Sequence, residues 1–268
     1  MRARETTSSY KPSLEDLKKV KFWEDFFLLS WDWVFHTVQW EWNYIGRSST
    51  FVRLHNCNLQ CSWCDSWYTW KKDTEEFYKE PFFVKIEELF SYVIKAMDER
   101  WVNTVSSSIR LDSDIVFTGW EPLLQKDKIE KFIKMYENSL SWKIQIETNW
   151  TIMPSNYLLE NAKFNCSPKL WNSWMPLSVR RKDDVLFELQ KTKDVCFKFV
   201  VTSIEDIDEI ERDFWFLDKK NIYLMPEGIL EEDNNEVFKK ILDYAISKSY
   251  NITPRMQNIL FWGAKRRV

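Results

Sequence analysis

The sequence predicts an α/β fold, and two alternating patterns carry that prediction. Short runs of β-branched and apolar residues, typical of strands, alternate with segments whose apolar residues recur every three or four positions, as on one face of a helix. Helices of ten to fifteen residues between strands imply βαβ units and a parallel sheet. About six such units follow one another, fewer than the eight of a complete barrel. The 268 residues are enough for one domain of ordinary size.

Each element follows from its local pattern. Strands are predicted at Val34–Val38, Thr50–Leu54, Asp114–Thr118, Lys143–Glu147, Val195–Val201 and Asn221–Met225. Helical spacing of apolar residues occurs at 86–97, 129–136, 204–213 and 238–246. Residues 1–30 are polar and charged, apart from an apolar and aromatic stretch near their end. We therefore expect an N-terminal arm at 1–30 and one core domain at 31–268.

Composition and charge exclude several classes of protein. The chain is 44% hydrophobic and 29% charged, and its aromatic content is high, which excludes a disordered protein. No stretch approaches eighteen uncharged apolar residues, so no membrane span is expected. The first residues lack the apolar core of a secretion signal. A net charge of −3 argues against a general phosphate-binding surface. We expect a cytoplasmic protein with no nucleic-acid or membrane partner.

Three of the five cysteines lie close together, directly after a predicted strand. Cys57, Cys61 and Cys64 have the spacing C-x3-C-x2-C. In a reducing compartment such a group is more typical of metal binding than of disulfides. A structural zinc needs a fourth ligand, and no second pair of cysteines or histidines follows. The three thiolates suit a [4Fe–4S] cluster that leaves one iron open; buried or zinc-binding cysteines remain the alternative.

The cysteine spacing resembles the signature of radical S-adenosylmethionine enzymes, whose fold is a partial (β/α)6 barrel. In that superfamily the open iron binds the amino and carboxylate groups of S-adenosylmethionine. One electron from the cluster then cleaves this cofactor to a 5′-deoxyadenosyl radical. The resemblance therefore implies two cofactors, the [4Fe–4S] cluster and S-adenosylmethionine. The spacing alone does not indicate the substrate.

Further motifs resemble the 7-carboxy-7-deazaguanine synthases, from about Val34 to the C-terminus. The matching segments are Phe35–Trp42 (FHTVQWEW, family FxTxQGEG), Phe51–Leu54, Cys64–Trp70, Phe117–Pro122, Ile146–Trp150, Ser167–Lys169, Leu224–Gly228 and Pro254–Gly263. This resemblance implies a carbon–nitrogen lyase of queuosine and 7-deazapurine biosynthesis, a pathway that serves tRNA modification. The family contracts the ring of 6-carboxy-5,6,7,8-tetrahydropterin with loss of ammonia.

The same resemblance implies three groups of site residues. Cys57, Cys61 and Cys64 would bind the cluster, and the Ser66 hydroxyl would bind Mg²⁺. S-adenosylmethionine would contact Gly119, Trp120, Glu121, Ser167, Pro168, Lys169, Met225, Pro226 and Glu227. The pterin would lie against Val38, Gln39, Trp40, Glu41, Arg53 and Thr118. These residue types suit the substrate, because amide and carboxylate groups pair with a pterin edge and a guanidinium binds a carboxylate through two hydrogen bonds.

The family resemblance also implies a flavodoxin- or ferredoxin-type electron donor and a homodimer. Two alternatives stay open. One is another radical enzyme of the same shape, such as a glycyl-radical activase, against which the QGEG-like segment and the SPK motif argue. The other is an inactive homologue that retains a metal site. Such a protein would bind a cluster but form no 5′-deoxyadenosine.

The glycine and tryptophan contents are abnormal. The chain has 4 glycines and 16 tryptophans, whereas average usage would give roughly 19 glycines. Trp40, Trp42, Trp120 and Trp150 stand where the family motifs carry glycine. A tryptophan at such a turn adds bulk, and it adds strain wherever φ is positive. We hypothesise that the gene comes from a lineage that decodes UGA as glycine, and that UGA was read as tryptophan in this sequence.

The hypothesis predicts the codons of the native gene. We expect UGA at Trp40, Trp42, Trp120 and Trp150, because glycine is needed there. UGG is expected at the tryptophans that the family shares, which are Trp63, Trp70 and Trp262. Sequencing the gene and weighing the peptides of the native cell check this expectation. UGG at all sixteen positions would contradict it and favour the inactive homologue.

Overall fold

The fold is a mixed sheet flanked by helices, seen in a computed structural model that describes residues 13, 15, 24–79, 81–99, 113–138, 143–228 and 230–261. The strands are β1 (Phe26–Val38), β2 (Ser48–Leu54), β3 (Phe82–Lys85), β4 (Asp114–Gly119), β5 (Ile144–Thr148), β6 (Lys163–Cys166), β7 (Val195–Val201), β8 (Ile222–Pro226) and β9 (Asn251–Ile252). Their order across the sheet is β3-β1-β2-β4-β5-β6-β7-β8-β9. This arrangement confirms the predicted α/β class.

The helices follow the strands along the chain. They are α1 (Glu75–Lys79), α2 (Ile86–Glu99), α3 (Lys126–Tyr136), α4 (Asn156–Asn161), α5 (Leu177–Arg180), α6 (Asp183–Leu189), α7 (Ile204–Asp213), α8 (Glu231–Ser247) and α9 (Met256–Phe261). Short 3-10 turns occur at Trp42–Tyr44, Trp67–Thr69, Pro122–Gln125, Trp171–Ser173 and Lys219–Asn221. Within the described ranges, no helix combines the length and the apolar character needed to cross a membrane.

The sheet is parallel from β2 to β9 and antiparallel at its other edge. β2 pairs in parallel with β4, and each later strand pairs in parallel with the next. β1 pairs antiparallel with β2 and with β3. The first pair of strands is therefore not a βαβ unit. The segment between β1 and β2 is too short for a crossover helix, which needs a dozen or more residues.

β1 begins inside the segment that we expected to be an arm. Phe26–Leu29 pair with Phe82–Lys85 of β3, and Phe27, Leu28 and Leu29 are buried. The apolar stretch near the end of residues 1–30 thus belongs to the sheet and its core. Most of the remaining arm lies outside the described residues.

Alternation along the strands separates the core from the interior of the partial barrel. Phe197 and Phe199 of β7 belong to the hydrophobic core, together with Phe132 of α3. The intervening residue of β7, Lys198, instead lines a cavity on the inner side. β5 behaves in the same way, with Ile146 in the core and Glu147 on the cavity. Because side chains alternate along a strand, the apolar residues of one strand face the hydrophobic core and its polar residues face the cavity.

Three tryptophans have backbone conformations that favour glycine. Trp42, Trp150 and Trp174 have φ values of 70°, 59° and 59°. A bulky residue with positive φ is a rare outlier. Trp42 and Trp150 are also buried, and their indole N–H groups have no acceptor among the described residues. This strain supports the hypothesis that glycine is the native residue at 42 and 150, and the φ of Trp174 extends the hypothesis to that position; Trp40 and Trp120 do not have positive φ.

Gly119 is required where β4 ends. Its φ is +100°, and a Cβ atom there would lie 2.1 Å from the backbone oxygen of Leu54. The two backbones belong to neighbouring strands, since Leu54 pairs with Gly119. No side chain can therefore be accommodated without separating β2 from β4.

We expect Gly119→Ala to lower the free energy of unfolding by about 3 kcal/mol or more, because strain and overpacking add. Gly46→Ala is the matched control: Gly46 also has positive φ (+84°), but nothing lies within 4 Å of its Cβ position. Only the backbone strain of about 1–2 kcal/mol applies there. Denaturant unfolding of both variants measures the difference. Equal losses would contradict the close approach of Gly119 to Leu54.

Candidate active site

A cavity of about 470 Å³ lies at the carboxyl ends of the parallel strands. The segments after β2, β4, β5 and β6 all contribute to its wall, through Cys57, Trp120, Asn149 and Ser167. In barrels of parallel strands this end is the one that carries active sites. The volume of the cavity suits small molecules.

The three cysteines of the C-x3-C-x2-C motif all line this cavity. The Cys57 sulfur accepts hydrogen bonds from the Leu59 N–H (3.3 Å) and from Nδ2 of Asn149 (3.7 Å). Burial raises the pKa of all three thiols, that of Cys64 to about 12. The thiols are therefore protonated until a metal replaces their protons.

The donor set fits a [4Fe–4S] cluster better than a single metal ion. Among the described residues, no three His, Cys, Asp or Glu side chains are placed to hold one ion. A four-iron cluster offers a separate iron to each cysteine, so its ligands do not have to converge on one point. Cys57, Cys61 and Cys64 all line one cavity and would supply one sulfur ligand to each of three irons, which would leave the fourth iron available to another ligand.

The expected cofactor residues divide into two sets. Gly119, Trp120, Ser167, Lys169 and Met225 line the cavity. The Lys169 ammonium donates to the Ser167 hydroxyl (2.8 Å) and lies 5.3 Å from the ring centroid of Trp63. Burial lowers the pKa of Lys169. The residues that do not line the cavity are Glu121, Pro168, Pro226 and Glu227.

Glu121 lies behind the cavity wall and joins two strand ends. Its carboxylate accepts hydrogen bonds from the Thr148 hydroxyl (2.7 Å), the Leu123 N–H (3.0 Å) and the Asn149 N–H (2.7 Å). Burial raises the pKa of Glu121 to about 7, although these donors oppose the rise. The carboxylate thus holds the end of β5, and with it Asn149, against the cysteine loop.

Most of the expected substrate residues face the same space. Gln39, Trp40, Glu41, Arg53 and Thr118 line the cavity, whereas Val38 does not. Val38 is the last residue of β1, where it pairs with Ser48. Arg53 stacks its guanidinium over the Phe35 ring at 4.9 Å.

Glu147 is a cavity residue that the sequence analysis quoted only as part of a motif. Its carboxylate accepts hydrogen bonds from Nε2 of Gln39 (3.1 Å) and from the Thr118 hydroxyl (2.6 Å). Burial raises its pKa, and Glu41 adds to that rise, while Lys198 opposes it. A half-buried carboxylate with a raised pKa is suited to hold or accept a proton at a reacting centre.

Glu41 is held by residues from distant parts of the chain. It forms an ion pair with Lys198 and accepts a hydrogen bond from Nε2 of Gln257 (2.6 Å). Nε of Arg255 lies 3.8 Å from the carboxylate. Burial raises the pKa of Glu41, but Lys198 and Arg255 outweigh burial and lower it to about 2. The Glu41 carboxylate therefore stays ionised.

Lys198, Arg255 and Gln257 all line the cavity, although the sequence motifs indicated no role for them. One signal was present: a lysine in the otherwise apolar strand 195–201. Arg255 and Gln257 lie in the quoted segment Pro254–Gly263, but nothing in the sequence shows that this segment returns to Glu41.

Ser66 and the histidines occupy different environments. Ser66 lines the cavity, and its hydroxyl donates to Oδ1 of Asp65 (2.7 Å). His36 bonds the Thr50 hydroxyl, and His55 bonds the Ser30 hydroxyl, at 2.9 Å each. Burial lowers the pKa of His55 to about 3, so it stays neutral. Neither histidine lines the cavity.

Comparisons with known proteins agree with the motifs. A 7-carboxy-7-deazaguanine synthase of Clostridium acetobutylicum is 31% identical over 186 residues, which are 68% of this chain and 73% of that protein. Another, of Pyrobaculum aerophilum, is 27% identical over 238 residues, 87% of this chain and 94% of that protein. The crystal structure of QueE from Escherichia coli has a similar fold, with a TM-score of 0.61 at 20% identity over 85% of this chain and 93% of that one. No protein-family model matches. The chain belongs to the family of 7-carboxy-7-deazaguanine synthases.

Proposed function

We propose that this protein is a 7-carboxy-7-deazaguanine synthase, a radical S-adenosylmethionine lyase that contracts a carboxylated tetrahydropterin ring with loss of ammonia. One observation carries the proposal. A single cavity brings together the three cysteines, the Ser167–Lys169 segment and a polar group formed by Gln39, Thr118 and Glu147. The family requires a cluster, its cofactor and a pterin to meet in one place.

The residues around the cysteines suit the two cofactors. Cys57, Cys61 and Cys64 would hold the cluster, which when bound supplies the electron that starts the radical reaction. Ser167, Lys169 and the Gly119–Trp120 turn would hold S-adenosylmethionine beside it. The family relationship supports both assignments, and the shared cavity is compatible with them.

The opposite part of the wall suits the pterin. Gln39, Thr118 and Glu147 are linked by hydrogen bonds and offer donors and acceptors along one part of the cavity wall. Arg53 can bind the substrate carboxylate, which a planar guanidinium recognises through two hydrogen bonds. Lys198 balances the charges of Glu41 and Glu147, so that two carboxylates can remain in one buried site. Together these side chains would orient the ring and exclude water.

Trp40 and Trp120 would reduce the space available for both small molecules. Both line the cavity, and the Trp120 ring packs edge-on against Tyr68 at 5.9 Å. Glycine at these positions would remove two indole rings from the wall. The functional enzyme therefore carries glycine there under the recoding hypothesis.

We expect the glycine form of the protein to make product far faster than the tryptophan form. The test compares the tryptophan-bearing chain with a form carrying glycine at 40, 42, 120 and 150. After anaerobic reconstitution with iron and sulfide, the glycine form should convert 6-carboxy-5,6,7,8-tetrahydropterin to 7-carboxy-7-deazaguanine, measured by mass spectrometry. The tryptophan form should lose at least about a hundredfold in rate, since a misplaced cofactor costs that much. A loaded cluster without 5′-deoxyadenosine from either form would favour the inactive homologue.

We also propose a Mg²⁺ site at Ser66. Its hydroxyl lies on the cavity wall next to the Asp65 carboxylate, and a hard cation prefers such oxygen ligands. Substrate oxygens would supply further ligands, so the ion would bind together with the pterin. The cation would neutralise charge on the substrate carboxylate.

Ser66→Ala should raise the KM for the pterin about tenfold, as expected for a lost ligand or hydrogen bond of about 1.4 kcal/mol, and should abolish stimulation by Mg²⁺. Steady-state rates with and without Mg²⁺ measure both effects. Ser178→Ala, at an exposed position of α5, is the control and should keep the response. Unchanged Mg²⁺ stimulation in Ser66→Ala would refute the site.

The proposal includes an electron donor of the flavodoxin or ferredoxin type, a homodimer and a cytoplasmic location. These three features are supported by the resemblance to the family.

A further inference from the structure

The cysteine loop has little regular structure of its own and depends on neighbouring segments. Residues 55–64 form neither helix nor strand. The first half of the loop is held by the segment after β5: Asn149 donates to Oδ1 of Asn58 (2.9 Å), and Asn58 donates to the Thr151 hydroxyl (2.6 Å). The second half carries Cys61 and Cys64 and needs a different support.

That second support is the 3-10 turn Trp171–Ser173. The Ser62 N–H donates to the Ser173 carbonyl (3.1 Å). The indole N–H of Trp63 donates to Oδ1 of Asn172 (3.1 Å). Ser62 and Trp63 are the two residues between the second and third cysteines. The turn therefore binds the loop directly between two cluster ligands.

The Asn172 side chain is itself fixed in orientation. Its Nδ2 donates to the Val200 carbonyl and to Oδ2 of Asp206, both at 2.9 Å. Since both partners are acceptors, the amide nitrogen must face them, and Oδ1 must face the Trp63 N–H, which can only donate. All the polar atoms of this amide have partners, so its position is determined by β7 and α7.

A buried acidic face of α7 holds the rest of the turn. Asp206 and Glu209 are three residues apart and both buried, as expected for neighbours on one helix face. Glu209 accepts from the Trp171 N–H (2.9 Å) and pairs with Arg180 (2.9 Å). Arg180 in turn donates to the Lys169 carbonyl (2.7 Å). The same face therefore holds both the turn and the end of the Ser167–Lys169 segment.

We propose that Asn172 is a positioning residue that fixes the second half of the cysteine loop and couples it to the Ser167–Lys169 segment. The inference rests on the proposed function for its chemical meaning, because that function assigns the loop to the cluster and the segment to S-adenosylmethionine. Asn172 touches neither small molecule; it acts through Trp63. The bond between them sets where Cys61 and Cys64 stand relative to the cofactor segment.

Two single variants and their combination test whether Asn172 fixes the cysteine loop through its bond to Trp63. Asn172→Leu keeps the branched shape and the number of side-chain heavy atoms but removes the hydrogen bonds of the amide. Trp63→Phe keeps an aromatic ring, although a smaller one, beside Lys169 and removes the indole donor. Asn161→Leu is the matched control, because Asn161 is exposed on α4 and bonds only the Tyr157 carbonyl among the described residues. Anaerobic amide hydrogen exchange of residues 60–64 is the main measurement. The rate of iron loss to a chelator is the second.

Asn172→Leu should speed exchange at residues 60–64 about tenfold and Trp63→Phe about threefold, as expected for lost hydrogen bonds. The double variant should match Asn172→Leu rather than the product of the two effects, because both remove the same interaction. Iron loss should follow the same order. Asn161→Leu should leave both rates unchanged.

Wild-type exchange rates in Asn172→Leu, or effects of the two substitutions that multiply, would overturn the inference. Exchange can be read whether or not the wild-type protein takes up iron. A wild-type protein without a cluster would therefore refute the proposed function, while the exchange rates would still decide the role of Asn172.

Discussion

The site depends on the close backbone approach between the ends of β2 and β4. Gly119 faces Leu54 with no room for a side chain, and the chain leaves β2 directly into the cysteine loop. Two residues after Gly119, Glu121 bonds the end of β5, and Asn149 on that end bonds the loop. One strand pair thus fixes where the loop starts, and the next strand fixes its first half. If β2 and β4 separated, the start of the cysteine loop and its contact with Asn149 would both be displaced.

Local periodicity was sufficient for the α/β class, and the cysteine spacing together with the family resemblance pointed to most of the segments that line the cavity. The sequence was insufficient for interactions between distant segments. Glu41 is joined to Lys198 and Gln257 across most of the chain, and no local pattern records such a contact. The position of Glu121 was also missed, since a motif shows that a residue is present but not whether it faces the cavity. The antiparallel β1 could have been recognised from the short connection to β2.

The tryptophans at glycine positions conflict with the structure for two separate physical reasons. At Trp42, Trp150 and Trp174 the backbone is left-handed, so any side chain is strained. At Trp40 and Trp120 the backbone is ordinary and the conflict is one of volume, because both indoles occupy the wall of the cavity. Reading UGA as tryptophan instead of glycine throughout the chain would produce both kinds of conflict. Because backbone strain at some tryptophans and lost cavity volume at others share this one explanation, misread codons are favoured over separate adaptive substitutions.

The bond between Gln257 and Glu41 has a consequence for biosynthesis. Glu41 is synthesised 216 residues before its partner Gln257. Closing a loop of that length costs conformational entropy, which the contact must offset. Until the segment around Gln257 has been synthesised and reaches Glu41, the cavity lacks that part of its wall.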